Sequence, residues 1–169
     1  MAKLCSLREA ITSIPNGASV AMGCGLESLI PFAAGYEIIR QQKKELTLIA
    51  PISDIQFDQL IGAGCARKIV AAWVGNVAAG LGHNFRRAME EGIPGPLEVE
   101  EHSNFTIGLG LKAAAMGVPY LPTRTALGSD FASGAHFTPI TCPFTGERLL
   151  AVRALVPDVA ILHVQRADS

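Results

Sequence analysis

The chain has 169 residues, 49% of them hydrophobic and 17% charged, with 14 Lys and Arg against 15 Asp and Glu. It is long enough for one α/β domain with its own core and too apolar for a disordered tail. A formal net charge of -1, with the basic residues scattered apart from Lys43-Lys44 and Arg86-Arg87, excludes the clustered footprint of a nucleic-acid surface. No apolar run reaches the length that spans a bilayer.

The N-terminus offers no charged-then-apolar leader, because Arg8, Glu9 and Pro15 interrupt it. A cytoplasmic protein is expected. Cys5, Cys24, Cys65 and Cys142 are far apart and read as reduced thiols. His83, His102, His136 and His163 form no H-x-x-x-H pair, so no metal site is expected.

In chain order, Ser6 with Glu9 three residues on forms a capping box that opens a short helix through Ile11. Pro15-Asn16-Gly17 is a turn, and Ala18 to Met22 is a compact apolar strand. Gly23-Cys24-Gly25 follows, and Pro31 opens a helix carrying Phe32, Tyr36, Ile38 and Ile39. Leu46 to Ala50 is a buried strand closed by Pro51. Asp54 starts a helix through Phe57, Leu60 and Ile61 that Gly62 and Gly64 end. Lys68 to Val74 reads as a strand covered on both faces, with Trp73 in the core. A connection rich in glycine (Gly75, Gly80, Gly82) leads to a helix around Phe85 to Met89. Leu97 to Glu101 is a strand, and Ser103 caps a helix that runs to Met116 and stops at Gly117. Beyond Tyr120, prolines and glycines cut the chain into short pieces, with a hairpin turn at Phe144-Thr145-Gly146-Glu147 between Thr138-Cys142 and Leu149-Val152. Asp158 to Val164 is a last strand, read as central, with His163 as a buried core histidine.

Strands separated by helices imply right-handed crossovers and an open, mostly parallel sheet with helices on both faces. A small antiparallel hairpin near residues 138-152 joins it. The whole chain, 1-169, reads as a single domain that stops just after its last strand, at a point where a covering helix is expected.

Three places can carry chemistry. At Gly23-Cys24-Gly25 small residues let the backbone approach a ligand, and exposed N–H groups there can hold an anion. The alternative is a tight strand-to-helix turn. A dinucleotide fingerprint is absent, since Ser28 stands at its third glycine. Glu100-Glu101-His102-Ser103 lies at the end of a strand, where ligand sites collect in parallel sheets. Glu101 there is either a general base with His102 and Ser103 as partners, or a favourable charge at a helix start that Ser103 caps. The loop from Thr123-Arg124 to Gly128-Ser129-Asp130 offers an arginine fork for a carboxylate or phosphate. The alternative is a surface loop in which Arg124 pairs with an acidic neighbour.

The stretch from Asn16 to Gly25, with Pro31 and Tyr36-Glu37-Ile38-Ile39-Arg40, resembles the α-subunit signature of class I coenzyme A transferases, of the glutaconate type. Leu60-Ile61-Gly62-x-Gly64, Phe85-Arg86-Arg87, the run from Ala113 to Pro122, and Ala160-Ile161-Leu162-His163 continue the likeness in order across the chain. Where the family has Gly-Gly-Phe after the first strand, this chain has Gly23-Cys24-Gly25-Leu26. The resemblance covers the first part of such a subunit.

That resemblance implies a heteromeric enzyme in the cytoplasm whose catalytic glutamate, in a Ser/Gly-Glu-Asn-Gly motif, belongs to a β subunit. No Glu-Asn-Gly occurs here. It implies an acyl-CoA and a small carboxylic acid as substrates, no tightly bound cofactor, and a glutamyl-CoA intermediate on the partner. Gly23, Cys24, Gly25, His102, Ser103, Arg124 and Ser129 are the expected substrate-binding residues. A related branch of ring-opening CoA-thioester hydrolases uses an α-subunit glutamate as base, and Glu101-His102-Ser103 stands in that position. A non-catalytic binding or assembly subunit is the remaining alternative.

Overall fold

The structure is a computed structural model that describes residues 4–23, 28–78 and 80–167. The chain groups into two compact units, where the sequence reads as one domain. The first comprises residues 1–100 and 157–169, the second residues 101–156.

The first unit is built on a five-stranded sheet. Its strands are β1 (Ser19–Met22), β2 (Leu46–Ile52), β3 (Ala66–Trp73), β6 (Glu98–Glu101) and β10 (Val159–Ile161), in the order β10-β1-β2-β3-β6. The β1–β10, β1–β2 and β2–β3 pairs are parallel, with Val20 opposite Val159 and Leu48 and Leu48 opposite Ile69. Helices α1 (Leu7–Thr12), α2 (Phe32–Arg40), α3 (Ile55–Gly62) and α4 (His83–Glu91) flank the sheet, each packed on the next. Between β3 and α4 the glycine-rich connection forms a short antiparallel pair, β4 (Gly75–Asn76) and β5 (Gly80–Leu81).

The central strands are apolar along their length because neither face meets water. Ile69, Val70 and Ala71 are consecutive buried residues of β3, as a strand covered on both sides requires. Val20, Ile38, Leu48, Phe57, Leu60 and Ile69 make the heart of this core. Its ends are tied by polar contacts. The Ser6–Glu9 capping box is present on α1, with the Ser6 N–H donating to Glu9 Oε2 at 2.9 Å and the Glu9 N–H to Ser6 Oγ at 3.2 Å. At the other end of the unit, the Asp158 carboxylate accepts from the Ser19 backbone N–H at 2.8 Å and from its hydroxyl at 2.6 Å. These donors, the hydroxyl first, hold the Asp158 carboxyl below its ordinary range.

The second unit pairs one helix with one small sheet. Helix α5 (Asn104–Ala115) packs on a three-stranded antiparallel sheet of β7 (Tyr120–Thr123), β8 (Phe137–Thr141) and β9 (Arg148–Arg153), ordered β7-β9-β8. A single 3-10 turn, Asp130–Ser133, lies in the β7–β8 connection. Gly110 of α5 has no room for a side chain: a Cβ there would stand 2.9 Å from Leu155 Cγ and 3.1 Å from the Arg153 carbonyl.

Several expectations change. Pro51 does not close β2, which runs on to Ile52. The hairpin of β8 and β9 gains a third strand, β7, in a stretch whose Pro122 hid it; proline there removes one ladder N–H from an edge strand, where that loss is tolerated. The last strand is an edge strand rather than a central one and ends at Ile161. His163 therefore lies beyond it and is exposed, its Nδ1 3.1 Å from the Ile30 carbonyl, instead of buried in the core. Trp73 is half-buried, its ring lying where a Cβ on Gly75 would come within 2.6 Å.

Candidate functional site

In the first unit the glycine turn begins at the carboxyl end of β1. The Gly23 N–H donates to the Ile161 carbonyl at 2.8 Å, extending the β1–β10 ladder by one residue. A Cβ on Gly23 would lie 2.7 Å from Leu162 Cδ2, the far end of an exposed side chain that can swing aside. Cys24 and Gly25 lie outside the described residues.

The chain around this turn carries backbone strain. Leu29, between β1 and α2, has φ 57°, and Asp54, between β2 and α3, has φ 48°. Side-chain-bearing residues in this region cost about 1–3 kcal/mol each and gather at functional sites. Asp54 stands where a cap of α3 is expected, but its side chain makes no cap bond. Its Oδ1 instead accepts from the Val77 N–H at 2.9 Å, tying the β2 end to the β4–β5 hairpin. Two residues on, Gln56 is fully buried. Its Nε2 donates to the Pro31 carbonyl at 2.7 Å, and its Oε1 is buried with no hydrogen-bond partner among the described residues. Gly35 makes room for it, since a Cβ there would fall 2.5 Å from Gln56 Nε2. Gln56 thus fastens the start of α2 to the start of α3. No one-dimensional pattern marks Gln56, because its partner is a carbonyl 25 residues away.

At the end of β6, alternation separates the two glutamates. Glu100 pairs with Lys68 at 2.9 Å, and Glu98, on the same face, pairs with Lys68 at 2.7 Å. Burial pulls the Lys68 pKa down, but the two carboxylates outweigh it and leave the ammonium above its ordinary value. Glu101 is exposed and its carboxylate has no hydrogen bond or ion pair among the described residues.

In the second unit His102 is buried, with Nδ1 3.1 Å from Thr106 Oγ1. Its ring stacks on His136 with centroids 4.2 Å apart and tilts against Phe137 at 5.5 Å. Ser103 caps α5 in a reciprocal box with Thr106: the Thr106 N–H donates to Ser103 Oγ at 3.1 Å and the Ser103 N–H to Thr106 Oγ1 at 2.9 Å. Threonine at the third position does here what the usual Glu or Gln does.

Arg124 and Ser129 are both exposed. Arg124 grips Glu147 with both ends of its fork, Nε on Oε1 at 2.5 Å and a terminal nitrogen on Oε2 at 2.7 Å. This pairing raises the arginine's pKa and lowers that of Glu147. The Ser129 hydroxyl donates to the Ala126 carbonyl at 2.7 Å. Gly23 belongs to the first unit, and Glu101, His102, Ser103, Arg124 and Ser129 to the second. Among these, His102 and Ser103 share a partner in Thr106; Arg124 and Ser129 stand on the β7–β8 connection.

Comparison with known proteins places this architecture. The pattern of the family described as coenzyme A transferase matches residues 5–169. The chain is 44% identical over 169 residues to the A subunit of 3-oxoadipate CoA-transferase from Pseudomonas knackmussii, covering 99% of this chain and 60% of that protein. It superimposes on the crystal structure of glutaconate coenzyme A-transferase from Acidaminococcus fermentans with a TM-score of 0.86, at 28% identity, over 95% of this chain and 56% of the other. A variant of the decarboxylase AibA/AibB superimposes with a TM-score of 0.82 at 34% identity, over 94% and 60%. The chain thus spans about 60% of the length of the first of these relatives. Among the described residues no helix is long and apolar enough to cross a membrane. A pattern match over nearly every residue, carried on a parallel sheet with a glycine turn after its first strand, makes this chain a member of the coenzyme A transferase family.

Proposed function

We propose that the chain is the leading part of a CoA-transferase α subunit, working together with a β subunit that carries the catalytic glutamate. The observation that carries this reading is the 44% identity, across 99% of the chain, to one of the subunits of a 3-oxoadipate CoA-transferase. In the proposed reaction the partner's glutamate carboxylate attacks the thioester carbonyl of an acyl-CoA. The C–S bond breaks, leaving an acyl-glutamyl anhydride and a CoA thiolate. The thiolate then attacks the glutamyl carbonyl, releasing the acid as its carboxylate and leaving a glutamyl-CoA thioester. An acceptor carboxylate reverses both steps. This chain's Gly23–Gly25 turn is assigned to the acyl side, where a backbone without side chains admits the group closely. A 3-oxo dicarboxylate such as 3-oxoadipate is the acceptor to try first.

The test is incubation of the co-purified complex with acyl-CoA and no acceptor, followed by mass spectrometry of the intact β subunit. An added CoA on the partner, discharged when 3-oxoadipate is supplied, is the expected result. Free CoA and free acid with no adduct would refute transfer and point to hydrolysis. Hydrolysis is the second reading, favoured by one observation: the Glu101 carboxylate is exposed at the carboxyl end of β6 without a partner among the described residues, as a general base for water would be.

A further inference from the structure

The small sheet of the second unit has two faces with different surroundings. Strand alternation puts Leu121, Val152 and Phe137 on one face, and Thr123 and Leu150 beside them. Val152, Phe137, Thr123 and Leu150 are buried, and α5 packs against β7 and β9. The opposite face carries Tyr120 and Arg153 at one end, Pro122, Ala151 and Thr138 in the middle, and Leu149 and Ile140 at the other. The outer face of an antiparallel sheet ordinarily turns polar at these positions. Here only Arg153 and Thr138 do so strongly.

This face is also concave. A hollow of about 450 Å³ lies among Tyr120, Pro122, Ile140, Leu149 and the Pro143-Phe144 turn. A second, of about 310 Å³, shares Pro119, Tyr120 and Ile140 with it and is bounded by His136, Thr138 and Arg153. Each is within the roughly 300–1,000 Å³ typical of small-molecule sites. Neither lining contains an acidic residue, and Arg153 is the single Lys or Arg in either. An apolar bed that ends at one guanidinium is complementary to a short apolar body that ends in a carboxylate. The flat rings of Tyr120 and Phe144 and the prolines beside them suit a planar body.

We propose that this face is a binding site for a small aryl carboxylate, with its ring against Tyr120 and Ile140 and its carboxylate on Arg153. The assignment does not depend on the transfer reading. Cys142, which lines the larger hollow, makes it measurable. Its thiol is half-exposed, and the Thr145 hydroxyl with the Phe144 and Thr145 N–H groups holds it below its ordinary pKa, so it alkylates at neutral pH.

The experiment titrates the full chain with phenylacetate and follows iodoacetamide labelling of Cys142 by peptide mass spectrometry, with exposed Cys5 as the internal reference. Saturable slowing at Cys142 and none at Cys5 is expected. Phenylacetamide, which keeps the ring and loses the charge, should need at least about tenfold higher concentration for the same protection. Arg153→Met should abolish that preference, and Leu149→Asp should abolish protection altogether. Equal protection by acid and amide, slowing that does not saturate, or equal slowing at Cys5 would overturn the proposal. The comparison of acid and amide on the native chain decides the matter even where a variant fails to fold.

Discussion

The first turn of α4 is capped from outside its own sequence, and that arrangement makes a sharp energetic prediction. Gly82, at the N-cap position, offers no side chain to the helix. Asp58 of α3 takes over: its Oδ1 accepts from the Phe85 N–H at 2.8 Å and its Oδ2 from Asn84 Nδ2 at 2.9 Å. Asp58→Ala removes two bonds to a charged acceptor, at about 1.5 kcal/mol each, so about 3 kcal/mol of unfolding free energy should be lost. An ordinary N-cap deletion costs about 1 kcal/mol. Gly82 is the space the carboxylate needs, since a Cβ there would stand 2.5 Å from Asp58 Oδ1. Its φ of -71° is ordinary for any residue, so no backbone strain opposes alanine. Gly82→Ala should therefore cost about 1–3 kcal/mol in the native chain through the clash. In the Asp58→Ala background the clash is gone, and the same change should be neutral or stabilise by about 0.5 kcal/mol through the unfolded state. Urea unfolding of the native chain, both single variants and the double variant measures the coupling directly. Costs that add to within about 0.5 kcal/mol would show that the two residues do not share this contact.

Other outcomes rest on the same kinds of contact. Ser103→Ala should destabilise the chain by about 1 kcal/mol through loss of the α5 cap, read as a lower urea midpoint with an unchanged slope. The depressed Asp158 carboxyl contributes stability that is present above its unfolded pKa, near 3.8, and lost as pH falls through the lower folded value. Asp158→Asn should accordingly lower the urea midpoint at neutral pH and converge with the native chain in strong acid; an equal gap at every pH would refute the linkage. In the enzyme complex, Glu101→Gln should leave substantial CoA transfer, whereas a hydrolase would lose on the order of a hundredfold or more in turnover together with the acidic limb of its pH–rate profile.

Much of the fold is legible in the sequence because it rests on local signals. The Ser6–Glu9 box, Pro31 before α2, the apolar run of β3 and Ser103 before α5 each declare themselves within a few residues, and each element forms where expected. Pairings over long distances are less legible. Strand β7 exists because Tyr120–Thr123 finds Leu150–Arg153 some thirty residues later, and the edge position of β10 is decided by its match to Ser19–Met22 at the far end of the chain. At the candidate site the same division holds. Ser103 as a cap and Arg124 with an acidic neighbour are both readable alternatives, since capping and ion pairing follow from residue type. The burial of His102 against His136 and the Gln56–Pro31 tie are not readable, because each depends on which surfaces meet after folding.

The bond between Ser19 and Asp158 spans 139 positions of sequence, and its consequence is temporal. The first unit is interrupted: residues 101–156 are threaded into it as a continuous insertion, and only the segment after that insertion supplies the strand at the β1 edge. A ribosome delivers β1, β2 and β3 long before β10 exists, so during synthesis β1 presents a bare edge to whatever is near. The inserted unit, whose strands and helix are contiguous, can complete itself in that interval. Closing so long a loop costs little more than closing a short one, because the entropy grows only with the logarithm of its length. The paired carboxylate and hydroxyl then act as a latch that is thrown last, and a nascent chain caught before that moment would be open to capture by another copy of its own β10.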